Sequence, residues 1–137
     1  MATLKLEIVT PEAKIFSQDV EMVSVPGVEG EIGILPMHIP LMTMIKPGEL
    51  RVNHQGQETF MAVGEGFVEV TAERVTVLTD MAIEESNIDE SAAEVAVKRA
   101  QESLMGNHLA SEEVASVEAA LQKSLAQLHV KRRHHHG

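Results

Sequence analysis

The 137-residue sequence has no cysteine, no tryptophan and no tyrosine, and only three phenylalanines, Phe16, Phe60 and Phe67. Without thiols there are no disulfide staples and no thiol chemistry, and a reducing compartment suits the chain. Charge is scarce on one side: 11 Lys and Arg stand against 21 Asp and Glu, a formal net charge of −10. An acidic chain with so few aromatic stacking surfaces lacks both means by which nucleic acid is usually held, so that class of partner is set aside. A long apolar run is missing too. The longest mostly apolar stretch, Ile34 to Ile45, covers about twelve residues and contains His38 and two prolines, well short of the roughly twenty needed to cross a bilayer. Lys5 and Glu7 interrupt the first apolar segment, so no secretory signal is expected there. These absences predict a soluble protein that meets a membrane only through a partner.

Catalytic machinery is equally sparse. No G-x-S-x-G elbow or other nucleophile motif occurs. His38, His54, His108 and His129 show no zinc-ligand spacing, and His134-His135-His136 reads as a purification tag or a solvated basic tail rather than a metal site. The acidic pairs Glu84-Glu85 and Glu112-Glu113 fit a solvated boundary and a dipole-matched helix start, because adjacent residues do not face one reacting atom. No catalytic residue, resident cofactor or metal is expected.

What the sequence does hold is an unusual segment from Pro26 to Leu41. Gly27, Gly30 and Gly33 recur every third position, and Pro36 and Pro40 bracket Met37-His38-Ile39. Glycine permits positive φ and proline fixes φ without donating a hydrogen bond, so tight turns and short extended pieces are expected and a helix is not. The phosphate-binding lysine and hydroxyl of a nucleotide loop are missing, and Glu29 and Glu31 stand where phosphate would sit. The segment is nevertheless apolar at Ile34, Leu35, Met37, Ile39, Leu41 and Met42, with weakly polar His38 among them. A surface loop of that composition is expected to dock on something.

Residues 1–85 alternate with a period of two at Leu4/Leu6/Ile8, Val23/Val25, Val68/Val70 and Val75/Val77, interrupted by turn signals at Pro11-Glu12, Pro26-Gly27, Pro47-Gly48, Asn53 to Gly56 and Ala72 to Arg74. Short strands with frequent turns predict a β-sandwich or flattened barrel. The period changes at Ser86. Asn87 followed by Glu90 predicts a capping box, Ala93, Ala96, Val97, Ala100 and Leu104 predict a first helix, and Gly106-Asn107 is expected to end it with a left-handed residue. A second helix opens at Ser111, with Val114, Val117, Leu121, Leu125 and Leu128 as its apolar stripe. The fold class is therefore α+β: a β-sandwich over residues 1–85 and an αα-hairpin over 86–137. The acid excess lies in the first part, with 5 Lys/Arg against 14 Asp/Glu before residue 86 and 6 against 7 after it. Alanine dominates the helical seam, so the hairpin is expected to be held weakly and to be able to switch.

Four motifs in order carry a resemblance: the Pro26–Leu41 segment, Ile45-Lys46-Pro47-Gly48-Glu49-Leu50, Met61 to Val70 with Gly64-Glu65-Gly66 at its centre, and Val77-Leu78-Thr79-Asp80-Met81-Ala82. The sequence resembles, over nearly its whole length, the epsilon subunits of bacterial F-type ATP synthases. That likeness implies a non-catalytic rotor component peripheral to the bacterial plasma membrane on its cytoplasmic face. The sandwich would bind the gamma subunit and the c-subunit ring, coupling rotation to proton flow, while the helices would move between a compact hairpin and an extended form that enters the alpha/beta catalytic head and blocks ATP hydrolysis. Carried onto this sequence, the rotor contacts are Glu31, Ile34, Leu35, Pro36, Met37 and His38. The inhibitory contacts facing an acidic beta surface are Lys123, Lys131, Arg132 and Arg133.

Some members of that family also bind ATP through a motif close to Ile-Asp-x-x-Arg-Ala plus second-helix arginines. Here Ile88, Asp89 and Ala93 match, but Ala92 stands in the arginine place and the second helix has no arginine before Arg132. Losing guanidinium forks removes charged hydrogen bonds of roughly 1.5–3 kcal/mol each, so a weak regulatory ATP site is the most the motif allows. Two other classes compete with the rotor reading: a sandwich enzyme or binder with a helical lid, against which the empty catalytic inventory speaks, and a free-standing adaptor. Copurification with alpha, beta and gamma subunits would separate both from a rotor component.

Overall fold

A computed structural model of the chain describes residues 2–37, 40–106 and 109–134. Ten strands come first: β1 (Leu4–Val9), β2 (Lys14–Val20), β3 (Met22–Gly27), β4 (Gly30–Ile34), β5 (Leu41–Ile45), β6 (Gly48–His54), β7 (Gln57–Val63), β8 (Gly66–Val70), β9 (Arg74–Thr79) and β10 (Ala82–Glu84). A single 3-10 turn, Glu85–Asn87, leads to α1 (Glu90–Met105) and α2 (Ser111–His134). The strands hydrogen-bond in the order β10-β7-β6-β3-β5-β8-β9-β1-β2, with β4 paired to β3. Among the described residues a single register pair, Gly27↔Ile45, joins β3 to β5, and the sheet folds into two layers, a nearly closed sandwich. All pairs are antiparallel except β1 with β9.

Period-two alternation places one row of side chains between the layers. Leu6, Ile8, Val25, Ile34, Leu50, Val63, Val68 and Val77 are fully buried there. Most turns fall near the expected breaks, but Pro26-Gly27 lies inside β3, paired with Glu31 and Gly30, so that reversal comes at Val28-Glu29, and Asn53 lies inside β6, paired with Glu58. At the β6–β7 hairpin, Gln55 and Gly56 both take positive φ, 51° and 79°, the geometry of the primed two-residue turns that suit strand twist.

The helical boundaries differ from the sequence reading. Asp89, not Asn87, caps α1, its carboxylate accepting from the backbone N–H of Ala92 at 3.0 Å, because Asn87 belongs to the preceding 3-10 turn. Gly106 ends α1 with an ordinary negative φ of −79°, its N–H bonding to the Glu102 carbonyl, so no left-handed cap forms at that residue; Asn107 lies outside the described residues. Glu113 reaches back to the N–H of Ala110 at the start of α2.

The hairpin is compact, with α2 lying on β6 and β7 and α1 packed against α2. Of the expected seam, α1 buries Ala93, Val97 and Ala100, while Leu104 is half-buried and Ala96 is exposed. α2 serves two neighbours: Leu121 and Leu128 meet Val97 and Ala93, while Val130 meets Ala62 and Ile88, flanked by Phe60, Met81 and Ile83. Leu125, placed in the apolar stripe from sequence, is instead exposed and lines a cleft between α2 and the sandwich. Second-face residues Ser124, Ala126 and Val130 are buried in its place, because α2 lies against a sheet as well as a helix.

Candidate functional site

Two surfaces carry the residues singled out from sequence. The first is the end of the sandwich formed by β4 and the turn after it. The β3–β4 hairpin closes with Gly27 opposite Gly30, and Gly30 takes a φ of 134° that other residues rarely adopt. This turn leaves Glu31 exposed on β4, 3.9 Å from the Arg51 guanidinium, which also faces Glu58 at 3.7 Å. Leu35 and Met37 are exposed, Met37 by 75 %, and Pro36 is half-buried. Ile34 departs from the expectation of surface exposure: it is fully buried, since its position opposite Val23 turns its side chain into the core. His38 lies outside the described residues.

Met37 has a φ of 68° and its N–H bonds to the Ala72 carbonyl at 3.1 Å. A non-glycine residue in the left-handed region costs on the order of 1 kcal/mol, and here the cost holds a methionine outward in water. A further row of exposed apolar residues lies on the strands, one that sequence reading did not assemble. Register places Met44 beside Phe67 and Phe67 beside Leu78, across β5, β8 and β9, and all three are exposed, with Met42 further along β5. The signal was present in Leu41-Met42-Thr43-Met44-Ile45, which is apolar on both faces of a strand, but the row needs the strand order to appear.

The second surface is where the hairpin meets the sandwich. All four basic residues assigned to inhibition are engaged inside the chain. Lys123 faces Asp80 at 3.6 Å, Lys131 donates to the Glu85 carbonyl at 3.1 Å, Arg132 bridges Glu90 and Glu94, and Arg133 meets Glu49 at 3.3 Å. Glu90 and Glu94 hold the Arg132 guanidinium above its already high ordinary pKa, so it stays charged throughout. His134, read from sequence as tag or tail, stacks on the Phe60 ring at 3.5 Å between centroids and lies 2.5 Å from Glu49. His135 and His136 are outside the described residues. Among the described residues no cluster of three or more His, Asp or Glu side chains is arranged to hold a metal.

The three residues matched to an ATP motif have structural work here. Asp89 spends its carboxylate on the α1 cap, while Ile88 and Ala93 are buried against α2. Arg99 and Ala92 line a shallow groove between the helices whose α2 side is Val117 and Ala120.

The comparisons with known proteins bear on both surfaces. A family model described as the ATP synthase delta/epsilon chain beta-sandwich domain matches residues 3–85, and one described as the long alpha-helix domain of the same chain matches residues 86–132. The chain belongs to the ATP synthase delta/epsilon family. As a member it is a non-catalytic subunit. The ATP synthase epsilon chain of Dehalococcoides mccartyi strain BAV1 is 43% identical over 137 residues, covering 98% of each chain. That of Alkalilimnicola ehrlichii is 43% identical over 129 residues, 93% of this chain and 91% of its own. The fold is shared with a chain of the Euglena gracilis mitochondrial ATP synthase OSCP/F1/c-ring structure, at a TM-score of 0.78 and 22% identity, covering 92% of this chain and 79% of that one. Among the described residues, no helix of this family member is long and apolar enough to cross a membrane.

Proposed function

We propose that this chain is a central-stalk rotor subunit of a bacterial F-type ATP synthase, with residues 1–85 joining gamma to the c-subunit ring and residues 86–137 restraining ATP hydrolysis in the alpha/beta head. Family membership supports the complex, and solved structures of similar fold are chains of F1/c-ring and central stalk/c-ring assemblies. The observation that carries the division of labour is the contrast between the two parts. The sandwich has a continuous buried core and outward apolar residues at Leu35, Met37 and Met44, whereas the hairpin has its own cap and packs on the sandwich through a small apolar cluster at Ala62, Ile88 and Val130, with side-chain pairs from Lys123, Arg133 and His134 beside it. A rigid docking body and a detachable arm are what coupling and inhibition respectively require.

The rotor contacts in this reading are Glu31, Leu35, Pro36, Met37 and His38, with buried Ile34 supporting them from the core. Lys123, Lys131, Arg132 and Arg133 meet the acidic beta surface only after leaving their internal partners. Proton coupling and attachment at the cytoplasmic face of the plasma membrane come through the complex. ATP is at most a weak regulatory ligand, since the cap and packing duties of Asp89, Ile88 and Ala93 leave no basic fork for phosphate at those positions. Copurification from membranes with gamma, alpha and beta tests this reading; a chain recovered free of all three would overturn it.

A further inference from the structure

Of the ion pairs around the hairpin, not all hold it to the sandwich. Arg132 joins α2 to Glu90 and Glu94 on α1, so that pair travels with the hairpin wherever it goes. Lys123 and Asp80 are both substantially exposed, and such pairs contribute about 0–1 kcal/mol. Glu49 is different. Its side chain is only 9 % exposed, at the start of β6, and it receives both Arg133 at 3.3 Å and His134 at 2.5 Å. The His134 ring is in turn stacked on Phe60 of β7, with planes within 10°. Glu31, Lys46 and His129 line the same cleft beside Pro26, Pro47, Leu125 and Ala126, so the polar contacts of Glu49 stand among apolar ones.

We propose that Glu49 is the latch of the docked hairpin: its carboxylate, gripped by Arg133 and His134 at the last turn of α2, sets how often the helices leave the sandwich. This rests on the reading of a detachable arm and adds the residue that governs its release. A carboxylate shielded from water interacts more strongly with its partners than a surface acid does, and removing its charge weakens its hydrogen bonds with both Arg133 and His134. The latch sits at the far end of α2 from the α1–α2 loop, where opening would begin by peeling the C-terminal turn away.

The same geometry makes release competitive. Arg133 cannot serve an acidic partner surface and Glu49 at once, so such a surface draws the arm out in proportion to how well it replaces this one carboxylate. Glu49 thus opposes capture by the catalytic head in the compact form and has no part in the extended one.

The absence of cysteine permits a direct test on the full chain. Ala62 is fully buried beneath Ile88 and Val130, so an Ala62→Cys chain should be alkylated by iodoacetamide only when the hairpin lifts. Adding Glu49→Gln should raise the alkylation rate about tenfold, the order expected of a charged hydrogen bond with half-exposed partners. Arg133→Gln should raise it less, because His134 remains, and the double variant should add little beyond Glu49→Gln alone. A separate Val75→Cys chain, probing the sandwich core, should label no faster with Glu49→Gln, which separates unlatching from unfolding. Rates within twofold of the parent in Glu49→Gln, or independent multiplying effects of the two substitutions, would overturn the latch. The arm's inhibitory role is judged separately by hydrolysis after truncation, so a working latch with unchanged hydrolysis would refute only that role.

Discussion

Val130→Ala offers the sharpest measure of how strongly the hairpin is docked. Val130 is fully buried between Ala62 and Ile88, with Phe60, Met81 and Ile83 around it, and it does not belong to the sandwich core. The substitution removes two methyl-sized groups from an apolar site, a transfer loss of about 1.6 kcal/mol. A residual cavity adds a few tenths, for a total of about 2 kcal/mol, or roughly thirtyfold in the docking equilibrium. Because alanine-rich helices of this length are marginal once undocked, amides in α1 and α2 should exchange with solvent deuterium about thirtyfold faster. Amides of β1 and β9 should keep their parent rates. Full-length protein studied by hydrogen exchange and mass spectrometry reads both regions at once. Acceleration of β1 and β9 to the same extent would mean that helices and sandwich form one cooperative unit, and no acceleration anywhere would mean that Val130 contributes nothing to docking; either result refutes the detachable arm.

Other expectations follow from local geometry. A Cβ added to Gly66 would sit 1.8 Å from the Leu78 carbonyl oxygen and 2.8 Å from the Thr79 Cα, both backbone atoms of β9, so Gly66→Ala should destabilise the sandwich by about 3 kcal/mol or more in urea unfolding; an unchanged midpoint would refute it. Glu7 is held below the ordinary carboxylate range, first by its hydrogen bond from Lys14 at 2.8 Å, with Arg74 at 2.5 Å assisting. A depressed folded pKa gives stability that is present above the unfolded value near 4.5 and is lost as pH falls through the folded value. Thermal melts from pH 6 to pH 3 should therefore fall less steeply for Glu7→Gln than for the parent, and parallel curves would contradict this. Met37→Asp should weaken binding to gamma in calorimetric titration while leaving the melt unchanged, and unaltered affinity would remove that residue from the interface. ATP at about 1 mM should raise stability by no more than a few tenths of a kcal/mol, since a site weaker than millimolar adds little by mass action, and micromolar affinity by calorimetry would refute that.

Where burial follows from alternation, the sequence was a good guide. Leu6, Ile8, Val68 and Val77 face the core as their period-two spacing requires, and Gly56 turns the chain where strands reverse, while Pro26-Gly27 and Asn53, expected in turns, sit at the ends of paired strands. Ile34 was misplaced because a loop-like Gly/Pro composition hides the fact that Gly30 to Ile34 is a paired strand, whose last residue points inward. Competition between neighbouring caps misled the reading at the helical start: Asn87 and Asp89 are both good cap residues, and only the 3-10 turn decides between them. Nothing in local sequence brings Glu49 to Arg133 and His134, or Met44 to Phe67 and Leu78. Those contacts depend on which strands neighbour each other and on which sheet face α2 covers, and neither is encoded within a window of ten residues.

Truncation after Glu85 in reconstituted ATP synthase tests the central claim most directly. Residues 1–85 hold the whole sandwich core and the exposed Leu35, Met37 and Met44, while α2 supplies every basic residue assigned to the catalytic head. With the hairpin absent, proton-driven ATP synthesis should persist and ATP hydrolysis should exceed that of enzyme carrying the full chain. Equal hydrolysis rates would contradict the inhibitory role of the helices, and loss of synthesis would contradict the assignment of coupling to the sandwich.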